Sequence, residues 1–397
     1  MRVDWTQLPA ELLESISKNL KIYADYVRFR AVCRNWRSAV PKIPLDLPPQ
    51  LPWLVLPPTR SHLTYRAIFD LSTDKLHHLS LPEYSTNPAK RHRGSSEGWL
   101  VILDLSPDII LLNPLSRAKL HLPPLSTFPK VTGFNYSHIS NEYELHCPYR
   151  IRYNRSLQYM RDCFIKKVVL SSSPSKDPNF VAMAIINETM DLAYCRSGSD
   201  SWSIIEAAHS FSEDVIYFQG LFYAVNIDGQ IAVCDVSGAS PQVSFIRTWP
   251  LLAVGGDIRY LVGSGDELFL ITRHLALEFD DTGLYGHNSG YRTRKFDVFR
   301  LDWSVLVWKE VRSLGDEALY IGGNSSLSLQ ASDFPGCVGN RIYYTDDYSE
   351  NNFHDGACTG DDMGIYNLGD GSIKPLPSFF FYTLQWPPPV WITPNPC

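Results

Sequence analysis

The chain has 397 residues, 44% of them apolar and 20% charged, with 36 basic against 42 acidic side chains. This composition is typical of a globular protein and excludes a chain that is mainly disordered. The net charge of −6 contains no overall basic excess, which argues against nucleic acid as the main partner. At this length we expect two domains, or one large β domain with an appendage.

Membrane insertion and secretion are not expected. No stretch reaches the roughly 18 consecutive apolar residues of a membrane span. Acidic and basic residues interrupt residues 1–20, where a signal peptide needs an apolar run. The chain is therefore expected to fold in a reducing compartment, the cytoplasm or the nucleus.

The eight cysteines are scattered, without C-x-x-C pairs, and are interpreted as free thiols. His354 and Cys358 lie near several aspartates, but they lack a second ligand pair at zinc spacing and the alternating acids of a calcium loop. We therefore expect no metal site.

The first 43 residues differ from the rest in charge and periodicity. They contain eight Lys or Arg against four Asp or Glu, a net charge of +4. Leucine and isoleucine recur at spacings of three to five after Thr6, a candidate N-cap, which predicts a short amphipathic helix. A second helical stretch follows Asp25, another candidate N-cap, and ends at Pro41. Two or three such helices bury only a small core, so we expect a partner to cover the exposed apolar stripe.

A Pro-rich segment separates this unit from the rest of the chain. Seven prolines lie between Pro41 and Pro58. Proline disfavours helix interiors and central strands, so the composition predicts a stiff, extended connector. The expected organisation is a helical domain at 1–43, a linker at 44–60 and a second domain at 61–397 that folds on its own.

From residue 61 onward, short β-type runs alternate with Gly, Asn, Asp and Pro. Turn signals such as Asp228-Gly229 and Gly369-Asp370-Gly371 lie between pairs of runs, as in hairpins. The pattern repeats loosely at roughly the 40 to 50 residues of a propeller blade, which predicts roughly seven blades. Six or eight blades also fit, and two or three β-sandwiches are the alternative. The predicted fold class is mainly β, a small helical domain followed by a β-propeller-like domain.

No enzyme signature is present. The sequence contains no GxxxxGK[ST], no GxGxxG after a strand, no HExxH and no GxSxG. The Gly-rich runs at 263–265 and 322–326 are typical of turns. Acidic residues are numerous enough for a pair to face a propeller channel as in glycosidases, but no spacing selects one. We expect no catalytic residue and no cofactor.

Two basic segments are weaker candidates for contact with an acidic partner. Segment 149–167 has six Lys or Arg against one Asp, interleaved with four aromatic residues, and cations beside rings suit phosphate or carboxylate groups. Segment 90–93, Lys-Arg-His-Arg, has the composition of a short nuclear import patch. The favoured interpretation of both is an exposed edge or loop. Segment 346–362, with six acids and no Lys or Arg, predicts a solvated loop.

The C-terminal segment 379–397 is dense in aromatic residues, with Trp386 and Trp391 flanking three prolines. Because an exposed patch of this kind would promote aggregation, we expect it to pack against the β domain and to help close a ring.

The sequence LPAELLESISKNLKIYADYVRFRAVCRNWRSAV resembles the F-box, the helical module by which substrate receptors dock on the Skp adaptor of Skp–cullin–F-box ubiquitin ligases. The Leu-Pro opening, the Leu/Ile stripe and the closing VCRxWRS pattern carry the resemblance. It implies an adaptor-contacting set of eight residues: Leu8, Pro9, Leu12, Leu13, Ile16, Val32, Cys33 and Trp36. A helical cap folded on its own β domain is the alternative.

The rest of the chain is similar to the C-terminal domain of plant F-box proteins of the KIB type, which is expected to be propeller-like. The runs RKFDVFRLDWSVLVWKEVRSLGDEALYIGG, SLSLQASDFPGCVGNRIYYTDD, DMGIYNLGDGSIKPL and PPPVWITP carry this similarity, and the N-terminal half of the domain matches more loosely.

Together the two resemblances imply a non-catalytic receptor. It would bind the Skp adaptor, through it the cullin and RING subunits, and an unidentified target protein. Two rival hypotheses are a propeller enzyme acting on a small molecule or glycan, and an F-box regulator or scaffold that does not drive degradation.

Overall fold

The computed structural model describes residues 4–42, 44, 50–57, 65–81, 90–146, 152–248, 256–277, 291–334, 336–347, 362–376 and 389–395. Helices occupy the N-terminal part and strands dominate the remainder. None of the described helices is long and apolar enough to cross a membrane. Five of the eight cysteines lie in the described part, and all five are free thiols.

Three short helices form the N-terminal module: α1 (Ala10–Lys18), α2 (Tyr23–Ala31) and α3 (Arg34–Ala39). Helix α1 begins directly after Pro9, a position where a missing N–H costs nothing. The predicted N-cap, Thr6, lies instead in a 3-10 turn.

The predicted second helical stretch is divided into α2 and α3. The chain is extended at Cys33, whose Sγ accepts a hydrogen bond from the backbone N–H of Trp36 and so caps α3. Asp25 lies in the first turn of α2, where it pairs with Arg28 at 2.8 Å instead of capping the helix.

A small apolar core holds the module together. Leu13, Tyr26, Phe29 and Val40 are buried against one another. The Tyr26 hydroxyl donates to the carbonyl of Pro41 at 2.7 Å, which fixes the end of α3 against α2. The core uses one narrow face of each helix, so the other apolar positions remain outside it.

The rest of the described chain is built from 28 strands in seven sheets. In chain order they are β1 (Trp53–Val55), β2 (Tyr65–Asp70), β3 (Lys75–Ser80), β4 (Arg91–Ser96), β5 (Trp99–Asp104), β6 (Ser106–Leu112), β7 (Lys119–Leu122), β8 (Val131–Phe134), β9 (Tyr143–His146), β10 (Arg152–Arg155), β11 (Ile165–Leu170), β12 (Val181–Ile186), β13 (Asp191–Arg196), β14 (Ser203–Ile204), β15 (Asp214–Phe218), β16 (Leu221–Val225), β17 (Ile231–Asp235), β18 (Gln242–Ile246), β19 (Ile258–Ser264), β20 (Glu267–Leu277), β21 (Tyr291–Asp302), β22 (Val307–Glu310), β23 (Glu317–Ile321), β24 (Leu327–Gln330), β25 (Arg341–Tyr344), β26 (Gly364–Asn367), β27 (Ile373–Pro375) and β28 (Val390–Ile392).

Six of the sheets are the blades of a propeller. In strand order, blade 1 is β28-β1-β2-β3, blade 2 β4 to β7, blade 3 β11 to β14, blade 4 β15 to β18, blade 5 β19 to β22 and blade 6 β24-β23-β25-β26-β27. Six apolar cores join each blade to the next, and the core between blades 6 and 1 closes the ring. Propeller blades pack face to face in this way.

The strands are apolar on both faces because each blade is covered on both sides. In β12, Ala182 and Ala184 pack toward blade 2, whereas Met183 and Ile185 pack toward blade 4. Alternate residues of a strand point to opposite faces, so a strand between two blades becomes a continuous apolar run.

The blade count among the described residues is six, against the roughly seven predicted. The sheet of β8, β9 and β10 lies in the connection between blades 2 and 3, and its Tyr143 and Leu145 fill the core between them. Blades 2 and 3 still contact each other directly, since Ser96 Oγ accepts from the backbone N–H of Leu170 at 3.0 Å. The prediction of roughly seven came from the length of the domain and the blade period, so the residues of this inserted sheet raised it, and six was among the counts left open.

The ring closes through strands from both ends of the chain. Strand β28 pairs antiparallel with β1, with Leu54 opposite Trp391. The expected role of Trp391 in closure is confirmed, while Trp386 lies outside the described residues. The predicted linker at 44–60 needs correction, because residues 53–55 form β1 and Leu54 is fully buried.

Blade 6 departs from the simple up-and-down order. Its strands β23 and β25 run parallel, with β24 on the inner side of β23. The two predicted hairpin turns lie where expected, Asp228-Gly229 between β16 and β17 and Gly369-Asp370-Gly371 between β26 and β27.

Candidate functional site

The eight residues implied by the F-box resemblance fall into three groups in the helical module. Leu12, Ile16 and Val32 are 52%, 42% and 54% exposed. Leu12 and Ile16 are four residues apart on α1 and therefore share one face of that helix. Pro9 is also exposed, at the start of α1. We refer to these four exposed apolar residues together as the outward apolar face of the module.

The remaining four residues face inward to different degrees. Leu8, Cys33 and Trp36 are half-buried, and the Trp36 ring packs 4.5 Å from that of Phe29. Leu13 is 0% exposed within the module core. Direct contact of Leu13 with an adaptor, which the resemblance implied, is incompatible with this placement, because the side chain is already covered by Tyr26 and Phe29.

The sequence argument missed three exposed apolar residues of the same module: Trp5, Ile22 and Val27. Val27 fits the helical pattern, but Trp5 and Ile22 lie just outside α1 and α2, where periodicity carries no signal. Basic side chains are exposed around the module as well, among them Lys18, Arg34 and Arg37. The module thus presents an apolar face together with exposed basic side chains.

The second candidate region is the end of the propeller ring at which the inner strands begin. The first residues of β4, β11, β15, β19 and β28 line one cavity of about 40 Å³, together with Gly322 and Gly323 of blade 6. We call it the channel cavity. Its charged lining comprises Arg93, Lys166, Lys167, Glu213, Asp214 and Asp347.

Three of these six residues, Lys167, Asp214 and Asp347, are engaged in ion pairs between blades. Lys167 Nζ lies 2.5 Å from Asp214 Oδ1, and Asp214 Oδ2 accepts from the backbone N–H of Leu261 at 2.9 Å. Both ions of the pair are buried. Buried charges of this kind are tolerated only when paired and hydrogen-bonded, and here they tie blades 3, 4 and 5 together.

A second buried network joins blades 5 and 6. The guanidinium of Arg273 donates to Asp347 Oδ1 at 3.0 Å, to Asp362 Oδ2 at 2.7 Å and to Thr293 Oγ1 at 2.7 Å. Burial raises the pKa of the neighbouring Asp346 to about 7, and the hydroxyl of Tyr291 donates to its carboxyl. The prediction of a solvated loop over 346–362 is therefore wrong for both of its ends, while residues 348–361 lie outside the described part.

The two basic segments meet in space. Residues 91–93 form the start of β4, not an exposed loop, and His92 is buried. Arg93 Nε donates to the carbonyl of Ile165 at 2.7 Å, which joins this segment to the end of segment 149–167. Residues 149–151 lie outside the described part.

The structure offers no metal centre in the residues it describes, since no group of three His, Cys, Asp or Glu side chains converges there. His354 and Cys358, which were considered above as metal ligands, lie outside those residues. A larger cleft of about 480 Å³ lies between the α1–α2 connection, at Lys21 and Ile22, and the propeller residues His77, His78 and Phe334.

The architecture defines a class of two-domain proteins in which a helical module is joined to a β-propeller. Residues 5–47 match the F-box domain, and residues 68–367 match the KIB1-4 β-propeller. The chain belongs to the plant F-box proteins with a KIB-type propeller.

Three relatives from Arabidopsis thaliana match most of the chain. The F-box protein SKIP23 of Arabidopsis thaliana is 30% identical over 98% of this chain and 96% of its own length. The Arabidopsis F-box protein At2g17036 is 29% identical over 98% and 95%. The putative F-box protein At1g65770 is 31% identical over 87% and 89%.

Proposed function

We propose that this chain is the substrate-recognition subunit of a Skp–cullin–F-box ubiquitin ligase. The observation that carries the proposal is the outward apolar face of the helical module. Leu12, Ile16 and Val32 remain exposed although the module has its own core around Leu13. Clustered exposed apolar side chains mark a protein interface, and an F-box domain is in general a Skp-type adaptor-binding module.

The positive net charge of the module favours a partner protein with a negatively charged surface. The first 43 residues carry +4 in a chain of −6. Exposed basic residues at the rim of an apolar interface steer association with an acidic partner and fix its orientation. An adaptor with an acidic surface around an apolar groove fits this description.

In this substrate-recognition role, the propeller is the rigid platform that holds the target protein. Six inter-blade cores hold the ring, and its loops are free to vary without loss of the core. Ubiquitin transfer would then depend on proximity, because a bound target has a high effective concentration at the ubiquitin-charged enzyme. The proposal requires no catalytic residue in this chain.

The rival enzyme hypothesis finds little support at the channel cavity. Its volume of about 40 Å³ is far below the roughly 300 to 1,000 Å³ of small-molecule sites. Of its three carboxylates, Asp214 and Asp347 are held by Lys167 and Arg273, which leaves Glu213 and no pair to serve as a glycosidase acid and base.

Co-purification of the full chain with a plant Skp adaptor tests the proposal. We expect the wild-type chain to bind and the double variant Leu12→Glu/Ile16→Glu to lose at least 100-fold in affinity, because two charges would be buried in an apolar interface. The matched control is Ile227→Glu/Val305→Glu, which places charges at two similarly exposed apolar positions of the propeller and should bind normally.

Three results would contradict the proposal in different ways. Unchanged binding by the Leu12→Glu/Ile16→Glu variant would show that the adaptor uses another face. Failure of the wild-type chain to bind any Skp adaptor would reject the adaptor-docking role and favour the helical-cap alternative. An assembly that binds the adaptor but transfers no ubiquitin to any captured protein would favour a regulator or scaffold.

A further inference from the structure

The cleft between the helical module and the propeller has the size of a ligand site. We call it the interdomain cleft. Its volume is about 480 Å³. This lies within the roughly 300 to 1,000 Å³ of small-molecule sites, which occur preferentially where two domains meet. The interdomain cleft can therefore hold a whole small molecule, whereas the channel cavity of about 40 Å³ cannot.

Hydrogen bonds hold the module side of the cleft in place. Gln50 Nε2 donates to the carbonyl of Lys21 at 3.0 Å, and Gln50 Oε1 accepts from the backbone N–H of Tyr23 at 3.0 Å. These bonds fix the α1–α2 connection, which includes Ile22, at the cleft. The propeller side consists of residues of β1, β2 and β3 and of Phe334 in blade 6. The cleft is thus formed before any ligand enters, which lowers the cost of binding.

Apolar side chains from both domains line the cleft. They are Ile22, Leu51, Trp53, Ile68, Leu79 and Phe334. Ile68 and Phe334 are buried, whereas Ile22 is 47% exposed although it faces the cleft. A ligand that covers such surfaces gains free energy from the burial of apolar area. The rings of Trp53 and Phe334 suit an aromatic ligand in particular, because ring pairs add to the gain from burial alone.

The charged groups of the cleft favour a ligand without net charge. Asp70 Oδ1 accepts from the backbone N–H of Ser72 at 2.9 Å and from its hydroxyl at 2.6 Å, and Oδ2 lies 4.0 Å from His77 Nε2. Lys21 and Asp333 are exposed and of opposite sign. Exposed ions gain little from pairing with a charged ligand. A histidine ring can instead exchange a hydrogen bond with an uncharged polar group.

We propose that the interdomain cleft binds one uncharged small molecule with an aromatic ring system and one or two hydrogen-bonding groups. The rings pack against Trp53 and Phe334, and a polar group of the ligand bonds to His77. The ligand contacts the module at Ile22 and the propeller at Trp53, so it stabilises one placement of the module on the propeller. The proposal goes beyond the proposed function, because the residues of the cleft are distinct from the outward apolar face.

Fluorescence titration of the full chain with N-phenyl-1-naphthylamine tests this proposal. The probe is uncharged, joins its aromatic rings through one N–H group and fluoresces strongly in apolar surroundings. We expect saturable binding of one probe per chain, with a dissociation constant of roughly 1 to 100 µM for a ligand of this size. The sulfonated analogue 8-anilinonaphthalene-1-sulfonate adds a negative charge to the same rings. It should bind about fivefold more weakly or worse, because its charge loses hydration in the cleft.

A first pair of variants tests where the probe binds. Thr73→Trp adds a large side chain at the cleft, in the turn between β2 and β3, and should weaken probe binding about tenfold or more by occupying its space. The matched control is Ser240→Trp, which adds the same side chain at an exposed position of the turn between β17 and β18. It should bind the probe with the affinity of the wild type.

A second pair tests the contribution of the module. Ile22→Gln removes apolar surface from the cleft and should weaken probe binding about threefold or more. Its control is Val27→Gln, because Val27 is 46% exposed but lies outside the lining of the cleft. This control should bind normally. Circular dichroism spectra check the fold of all four variants, and the Ile22 and Val27 pair decides if Thr73→Trp does not fold.

Any one of four results would overturn the proposal. The first is the absence of saturable probe binding, and the second is unchanged affinity of a folded Thr73→Trp protein. The third is equal affinity of the Ile22→Gln and Val27→Gln proteins, which would exclude the module as a wall of the site. The fourth is tighter binding of the sulfonated analogue, which would indicate a site for anions.

Discussion

Two neighbouring residues of α1 show that the packing around a side chain, and not the residue type, decides whether it is exposed. Leu12 and Leu13 are both leucines in the same helical stripe, yet Leu12 is exposed and Leu13 is buried against Tyr26 and Phe29. The F-box resemblance implied adaptor contact for both. A module with three short helices has room in its core for only one narrow face of each, so a broad apolar stripe is divided between core and surface.

Asp346 provides a prediction at the same scale. Burial raises its pKa to about 7 in the folded protein, above the ordinary value of 3.8. The folded state therefore binds this proton more tightly than the unfolded chain, and stability is lost as the pH rises from about 4 to about 7. At about 1.4 kcal/mol per pH unit, the loss amounts to roughly 4 kcal/mol.

The measurement is urea unfolding at pH 5 and pH 8 for the wild type and Asp346→Asn. Asparagine keeps an oxygen that accepts from the Tyr291 hydroxyl but does not titrate. We expect the variant to lose less stability than the wild type between these two pH values. Equal losses in both proteins would show that Asp346 is not the titrating group.

At the scale of elements, the short apolar runs of strands that lie between two blades, such as β12, are visible in the sequence. The short strand β1 is not, because it contains only Trp53, Leu54 and Val55 within a Pro-rich segment. Its identity as a strand depends on pairing with β2, the next strand, and with β28 near the other end of the chain. No local pattern of three residues encodes such pairing.

The closing strand β28 carries the second prediction. Trp391 is fully buried between blades 6 and 1, with its ring 5.3 Å from that of Tyr320 in an edge-to-face arrangement. Trp391→Ala should reduce the free energy of unfolding by about 3–5 kcal/mol, as is usual for truncating a large buried aromatic residue.

Urea unfolding followed by circular dichroism measures this loss. The control is Trp303→Ala, which removes a tryptophan that is partly exposed in the turn between β21 and β22 and should cost about 1 kcal/mol or less. A similar cost for both substitutions would mean that ring closure at β28 contributes little to stability.

At the scale of the whole molecule, the domain boundary decides which fragment can fold. The expected propeller domain at 61–397 omits β1, which would leave β2 and β28 without the strand that joins them. A protein of residues 50–397 retains this strand and should melt in one cooperative transition without the helical module.

Thermal melting and gel filtration of the two truncated proteins check this prediction. We expect residues 50–397 to be monodisperse, and residues 61–397 to aggregate or to melt at least 5 °C lower, which corresponds to a loss of roughly 3–4 kcal/mol in a domain of this size. Identical behaviour of the two proteins would show that the ring does not require β1.

Charge, periodicity and turn residues are local properties of the chain, so the amino-acid sequence was enough to predict the division into a helical module and a β domain and the hairpin turns. The family followed from the resemblance of its motifs. The tertiary structure alone decided the blade count, the placement of Leu13, the pairing of Lys167 with Asp214 and the meeting of Arg93 with Ile165. Each of these joins residues separated by 13 or more positions along the chain or depends on the packing of a whole sheet. Such contacts arise from ring closure, which sums apolar burial over six interfaces and is encoded by no single segment.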